Sequence, residues 1–566
     1  MLKDVRFEVL RREDRLESAQ LTGLLTAVLR VPDLRVGDEL EVALTVSEAD
    51  PTLGTQHAGL LAMAPAPAPG RYRLGMSWPA GAGPALRASA DMAGAMVERP
   101  DGVDIRLDNP AFLSPPKDAP PRYGWRRVLQ YSSFSDWPSI SRHFAPLYAA
   151  AAVRAADSPI RREAARIAAA HDTPMARAAA ALKLVQQNVR YIYVGLDGGN
   201  LQPATAEETW QRRFGDCKGK SALLLALLSE LGIAAEPVLI NAGGEDDGLD
   251  ERLPSPQLFD HVLVRARIDG AAYWLDATLP PVVPPRADLV YPAGWVLPVT
   301  AGGAALERIA WAPAAVPDEL HLFEIDARAG FDQPGRITTT AILRGVKALQ
   351  QQVRFAAVTR AQMLEAFRRE LAGSTWQAID DVQWRYDEKA AASILTISGT
   401  GLTDWDRDGN GARSLALPGG GFSPPDRHVR PAGQDGQLPF YNKPEYVCHV
   451  TTVRLPADTK AVNWSSKPAY DMAMFGRTYH RAFELRDGAI RMIRGSRIVD
   501  REVDVAAALR DNRRIAAFDN SMGWIFYDPA RTRTFVGDGG RVPATYEIDW
   551  TAADVPCTTR TVAPAD

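Results

Sequence analysis

The chain has 566 residues, of which 46% are apolar and 24% charged, with a formal net charge of -4, a length that predicts two to four domains, each able to bury its own core. This ordinary globular balance, without a long like-charge block, gives no ground for a nucleic-acid partner. The opening MLKDVRFEVLRREDRLE lacks the apolar run of an export signal, and no stretch approaches the roughly 18 uninterrupted apolar residues of a membrane span.

From Val5 to about Leu129, short alternating runs such as LTGLLTAVLRV, DELEVALTV and YRLGMSW are broken by Gly and Pro, with a Pro-Ala tract from Ala64 to Gly70. They predict an antiparallel β domain. From about Ser139 to Arg190 the texture turns to alanine-rich helices, the last placing Met175, Ala178, Leu182, Val185 and Val189 at helical spacing. A loop around Gly195 to Gly199 follows, then a helix from Cys217 to Leu231, a strand EPVLIN and a hairpin from His261 to Thr278. Between that strand and the hairpin, GGEDDGLDERLPSP is a polar loop that either shapes substrate access or is a surface excursion. The proline-dense PPVVPPRADLVYPAG reads as a linker or exit loop.

From about Asp318 strands return in LHLFEIDA, GRITTTAILRG, SILTISGTGL and EYVCHVTTVRL, with one helix near Arg360 to Leu371. The segment DWDRDGNG, with Asp404, Asp406, Asp408, Gly409 and Asn410, matches the first half of a calcium loop. The twelfth position is Leu415 instead of a bidentate Glu, so a solvated turn is expected. His143, His171, His428, His449 and His480 show no ligand spacing, and no metal is expected. Of three cysteines, Cys448 and Cys557 lie in strand-like text and either bridge in an oxidising compartment or stay as two thiols. Cys217 is then the odd one.

Gly215 and Asp216 stand just ahead of a helix whose Leu224, Leu227, Leu228 and Leu231 form a buried stripe, which places Cys217 at the helix N-terminus. Unpaired amides and the positive end of the helix dipole favour a thiolate there, with Lys218 and Lys220 adding positive charge. The same amides could line an oxyanion pocket. The alternative is a small apolar cysteine capping a core helix. In FDHVLVRARIDGAAYWLDAT, Asp269-Gly270 is a two-residue hairpin turn. Pairing outward from it sets Ile268 opposite Ala271, Leu263 opposite Asp276 and His261 opposite Thr278. His261 and Asp276 become diagonal neighbours, on the face away from Val262, Val264, Ala266, Ile268, Tyr273 and Leu275. A thiolate needs a base, and the base needs a carboxylate to fix its tautomer. Cys217, His261 and Asp276 supply those roles in chain order, against the alternative of a plain surface His-Asp pair.

GDCKGK opening a leucine-rich helix, followed by FDHVLV and YWLDAT, resembles the core of the transglutaminase-like superfamily over about Thr173 to Leu279. The resemblance implies an α+β protein with a papain-like transglutaminase core over 136–300 that uses Cys, His and Asp in that order. VRFEVLRRED and VGDELEVALTV resemble the β-sandwich-like domain of unknown function DUF3857, which in bacterial proteins precedes such a core. That makes 1–135 an N-terminal β-rich domain, incomplete at its start, and 315–566 a C-terminal β-rich mixed domain. Members of that family usually begin with an export signal, so the resemblance implies a periplasmic or secreted protein, whereas the chain's own start implies a cytoplasmic one. The resemblance also implies a second oxyanion donor upstream of the nucleophile, for which Trp210, Tyr191, Tyr193 and Gln202 are candidates, the aromatic ones being equally suited to core packing. The implied activity is cofactor-free acyl transfer from a peptide or protein substrate. Hydrolysis is the first expectation and glutamine-amine crosslinking the second. A third is a binding or scaffold protein with a relic core.

Overall fold

The computed structural model describes residues 7–11, 20–21, 25–31, 35–39, 45, 50–63, 70–194, 201–533, 535, 537–538 and 540–558. The loop at 195–199, nearly all of the Pro-Ala tract, and parts of VRFEVLRRED and VGDELEVALTV lie outside the described residues. The chain is a mixture of helix and strand, in the α+β manner. It forms two compact units, one of residues 1–113 with 125–309 and the other of 114–124 with 310–566. Among the described residues no helix is long and apolar enough to cross a membrane.

In the first unit, strands Ala58–Ala62, Val128–Ser132 and Ala85–Ala88 form one antiparallel sheet, and Arg71–Ser77, Gly102–Asp108 and Met96–Arg99 form another. Three helices follow, Trp137–Ala151, Pro159–Ala170 and Pro174–Asn188. Each has a proline in its first turn, where the missing N–H costs nothing. Helix Cys217–Glu230 then packs on an antiparallel sheet ordered Ala271–Leu275, His261–Ile268, Ala235–Ile240, Trp295–Pro298 and Glu307–Arg308. Leu223, Leu224, Leu227 and Leu228 are buried among Ala178, Leu182 and Val185 of the preceding helix and Val264, Ala266 and Ile268 of the sheet. Each leucine removed from water in this way contributes roughly 1.5–3 kcal/mol.

The hairpin turn has the geometry its residues dictate. Asp269 and Gly270 adopt φ of 51° and 81°, the two positive values of a type I′ turn. Ile268 pairs with Ala271, and the ladder runs to Val264 opposite Leu275. The proline-dense segment is not a linker. It folds back within the same unit, where Arg286 bridges Trp274 and the Val283 carbonyl accepts from Gln186 Nε2. The polar loop is likewise anchored, because the buried Asp246 carboxylate accepts from the amides of Gly294 and Trp295, both at 2.8 Å.

In the second unit, the described residues include a sheet ordered Trp376–Asp387, Ala392–Gly401, Gly335–Arg344, Glu319–Asp326, Tyr446–Arg454, Ala489–Ile498, Arg477–Arg486 and Tyr470–Met474. Its one parallel pair joins Glu319–Asp326 to Tyr446–Arg454. Helix Gly345–Phe355, missed by sequence reading, buries only Ala348, Leu349 and Phe355, too few apolar positions to stand out in GVKALQQQVRF. The Asp404 to Asn410 region forms a short hairpin, Asp406–Arg407 with Arg413–Ala416. There Asp408 Oδ1 accepts from the amides of Asn410 and Ala412, and Arg407 pairs with Asp332. Cys448 and Cys557 form a disulfide across 109 residues of sequence.

Leu224→Ala should destabilise the first unit by about 2–5 kcal/mol, read as a lower urea midpoint for Trp210 fluorescence at unchanged slope. Reducing the Cys448–Cys557 bridge should cost the second unit up to about 4.7 kcal/mol, the loop-closure entropy for roughly 100 residues. The signature is a thermal transition that moves down in dithiothreitol and does not move in a Cys448→Ala/Cys557→Ala double variant.

Candidate active site

Asp216 is the N-cap of the Cys217 helix, its carboxylate accepting from the Gly219 amide at 3.0 Å. Gly219 is required for close packing, since a Cβ there would lie 2.8 Å from Thr209 Oγ1. Helix Ala206–Arg212 therefore rests directly on the first turn. Cys217 is the first residue of the helix and only 5% exposed, set among Phe144, Tyr148, Leu239 and Val262.

His261 opens its strand and Asp276 follows the last residue of the next one. His261 Nε2 donates to Asp276 Oδ2 at 2.8 Å, and Cys217 lies close enough to the same imidazole to act on it electrostatically. With Nε2 taken, Nδ1 is the nitrogen left for the thiol. The hairpin ladder ends at Val264 and Leu275, but the strand goes on pairing with Ala235–Ile240 as far as His261 opposite Ile240. Tyr291, which packs with Leu263 and Trp274 on the side away from Val264 and Ala266, meets both His261 and Asp276 there.

Asp276 is held on every side. Oδ1 accepts from the Thr278 amide and hydroxyl, both at 2.7 Å, and Oδ2 also accepts from Tyr291 Oη at 2.6 Å. The Tyr291 ring lies 5.2 Å from that of His261. Burial pushes the Asp276 carboxyl upward, but the His261 charge and the hydrogen bonds from His261, Tyr291 and Thr278 outweigh it and hold it below the ordinary carboxylate range. Burial pushes His261 downward, yet the Asp276 charge and hydrogen bond, joined by the contact with Cys217, raise it well above the ordinary histidine value. Gln186 Nε2 donates to the Asp276 carbonyl at 3.0 Å and so fixes the backbone beneath the carboxylate.

The two lysines have different surroundings from those the sequence suggested. Lys218 is buried in an ion pair with Asp216. Lys220 is also buried, donating to the Val189 carbonyl. Burial lowers it to about 8, against the opposing pull of Asp276. Tyr148, buried beside the thiol, is raised well above the usual phenol value by burial and by its closeness to Cys217 and Asp216.

The four upstream candidates separate. Tyr191, 38% exposed, lies in strand Arg190–Tyr191, whose parallel partner Phe214–Gly215 leads into Asp216. It lies close enough to Tyr291 to influence that phenol electrostatically. Trp210 is buried in the helix-sheet core with the Arg213 guanidinium 3.7 Å over its ring. Gln202 is exposed. The Tyr193 side chain lies outside the described residues. Sequence reasoning missed Tyr291, Thr278 and Gln186. Thr278 had the local signal of an Asx-type turn after Asp276, whereas Tyr291 lay in text that read as a linker.

Comparison with known protein families finds no match, and neither does comparison with curated proteins. Among solved structures the chain is similar to a putative protease from Parabacteroides distasonis, at 12% identity and TM-score 0.45, over 81% of this chain and 72% of that one. It is also similar to a putative cysteine protease from Cytophaga hutchinsonii, at 14% identity and TM-score 0.19, over 40% and 67%. Neither likeness is close enough to carry an argument about function, which rests on the site itself.

Tyr291→Phe removes a hydrogen bond to a buried carboxylate and should cost about 1.5–3 kcal/mol. Chemical denaturation of wild type and variant at pH 7 measures it. A cost near zero would mean that Tyr291 only fills space.

Proposed function

We propose that the chain is a thiol-dependent acyl-transfer enzyme of the transglutaminase-like superfamily with a papain-like core, hydrolysing an amide bond of a peptide or protein. The observation that carries the reading is the His261–Asp276 hydrogen bond set beside Cys217, with the thiol at a helix N-terminus. The sulfur attacks the carbonyl carbon and the carbonyl electron pair moves to oxygen. The Gly219 and Lys220 amides are already taken by Asp216, so the oxyanion falls to the Cys217 amide and a side chain, with Tyr191 the candidate beside the triad. His261 returns its proton to the leaving amine, which departs and leaves an acyl-enzyme. Water then attacks with His261 as base, releasing the acid and restoring the thiol. Transfer to an amine uses the same acyl-enzyme and is the second outcome. The Cys448–Cys557 bridge supports an oxidising compartment, periplasmic or secreted.

One observation favours a non-catalytic scaffold instead: Cys217 is almost wholly buried, and the His261 side chain is only 10% exposed. Catalysis therefore requires the cleft to open. Because the other two cysteines are paired, Cys217 is the free thiol, and iodoacetamide reads it directly.

On the enzyme reading Cys217 is alkylated faster than an ordinary thiol at neutral pH, and at least about tenfold slower in His261→Ala. A Cys217 that stays unlabelled in the folded protein leaves the scaffold reading. His261 must hold a proton to protonate the leaving amine. Its raised pKa keeps that proton through neutral pH, so proton delivery to the leaving amine is lost as pH rises through that value. Cys217, Asp276, Tyr291 and Lys220 are the ionisable groups around it. Asp276→Asn should move this alkaline limb down toward the ordinary histidine value of about 6.5 and lower turnover about 10²–10⁴-fold.

A further inference from the structure

A second candidate site lies in the other unit. A cavity of about 530 Å³, within the size range of small-ligand pockets, is lined by Phe422, Phe475, Tyr479, His428, Arg477 and Arg494. The arginines on the paired strands Arg477–Arg486 and Ala489–Ile498 are accounted for with one exception. Arg477 donates to Glu445 and Ser496, and Arg481 to Asp519 and to the carbonyls of Gly420 and Ser521. Arg486 and Arg491 share Glu547, and Arg497 donates to the Pro313 carbonyl.

Arg494 makes no ion pair or side-chain hydrogen bond among the described residues, and its Nε is buried without a partner. Its guanidinium lies 4.4 Å over the Phe422 ring, and its strand neighbours are Arg481 and His449. Arg494 is half-buried, and a cation so placed beside another arginine is costly unless an anion joins it. Consistent with that, burial and the charges of Arg481 and Arg477 pull Arg494 down to about 10.

We propose that this cavity binds a carboxylate carried on an apolar or aromatic body, such as the C-terminal residue of a peptide, with Arg494 as the anchor. The guanidinium fork matches a carboxylate in two parallel hydrogen bonds, and Phe422, Phe475 and Tyr479 wall the space beside it. Asp118 and Asp426 also line the cavity and are exposed, and Glu445 already holds Arg477. These acids disfavour multiply charged anions such as phosphate and suit a ligand that also carries an amine.

The test is isothermal titration of the full chain with glycyl-phenylalanine and with glycyl-phenylalanine amide, for wild type, Arg494→Gln and Arg494→Lys. The expected result is binding of the acid, at least tenfold weaker binding of the amide, and loss of the acid's binding by at least tenfold in Arg494→Gln. Arg494→Lys, which keeps the charge and loses the fork, should bind several-fold more weakly than wild type. Without ligand, Arg494→Gln should melt at or above the wild-type temperature, because an uncompensated charge has been removed. No binding of the acid, equal binding of acid and amide, inorganic phosphate binding in their place, or an Arg494→Gln variant that melts lower or fails to fold would overturn the proposal.

Discussion

Helix Cys217–Glu230 begins with Asp216, Lys218 and Lys220 and is buried along most of its length, so ionisable groups have to be kept out of water by the same element that anchors the apolar core. Transferring an unpaired charge to such a place costs far more than a leucine returns. The first turn is stable only because Asp216 caps the helix and pairs with Lys218 while Lys220 reaches the Val189 carbonyl. That last contact ties the end of helix Pro174–Asn188 to the first turn of the Cys217 helix, and strand Arg190–Tyr191 starts from there. The position of Tyr191 beside the site thus follows from where a buried ammonium found an acceptor.

The same reasoning orders the triad. Asp276 is fully enclosed, and a carboxylate so placed persists as an anion only when its oxygens are satisfied. Thr278 and Tyr291 supply those bonds from outside the chemistry, leaving the remaining interaction for His261. On the thiol-transfer reading the charges then group naturally: Asp216 with Lys218, and Asp276 with His261 and, electrostatically, with Lys220.

Much of this was legible in the sequence where local rules decide it. A capping Asp before a leucine-rich helix fixes where Cys217 stands, and an Asp-Gly turn fixes register, which brings His261 to Asp276 without any knowledge of the rest of the fold. What was not legible depends on return of the chain over long distances. Tyr291 comes back to Asp276 from a segment whose prolines signal only the absence of regular structure, not its destination. Lys218 looked like free positive charge because its partner is two residues away in a geometry that only the helix start creates. Alternation along the strand carries through to His261 because its ladder with Ala235–Ile240 continues there after the hairpin ladder stops at Val264 and Leu275. Helix Gly345–Phe355 escaped because three buried side chains give too weak a period.

The two candidate sites differ in how completely their charged groups are paired, and the difference is informative. Around Cys217 the buried carboxylates and ammonium groups have partners within the chain, so that neighbourhood is consistent as a folded structure without anything bound. Around Arg494 the account does not close. The neighbouring arginines reach carboxylates or carbonyls, whereas this one has an aromatic face on one side and like charge on the other. Folded proteins rarely leave such a group unmatched unless something outside the chain completes it. A scaffold needing only stability gains nothing from an arginine at that point, where an apolar side chain of similar length would pack on Phe422 equally well. Its presence is easiest to understand as a recognition element whose cost to the free protein is recovered when an anion binds.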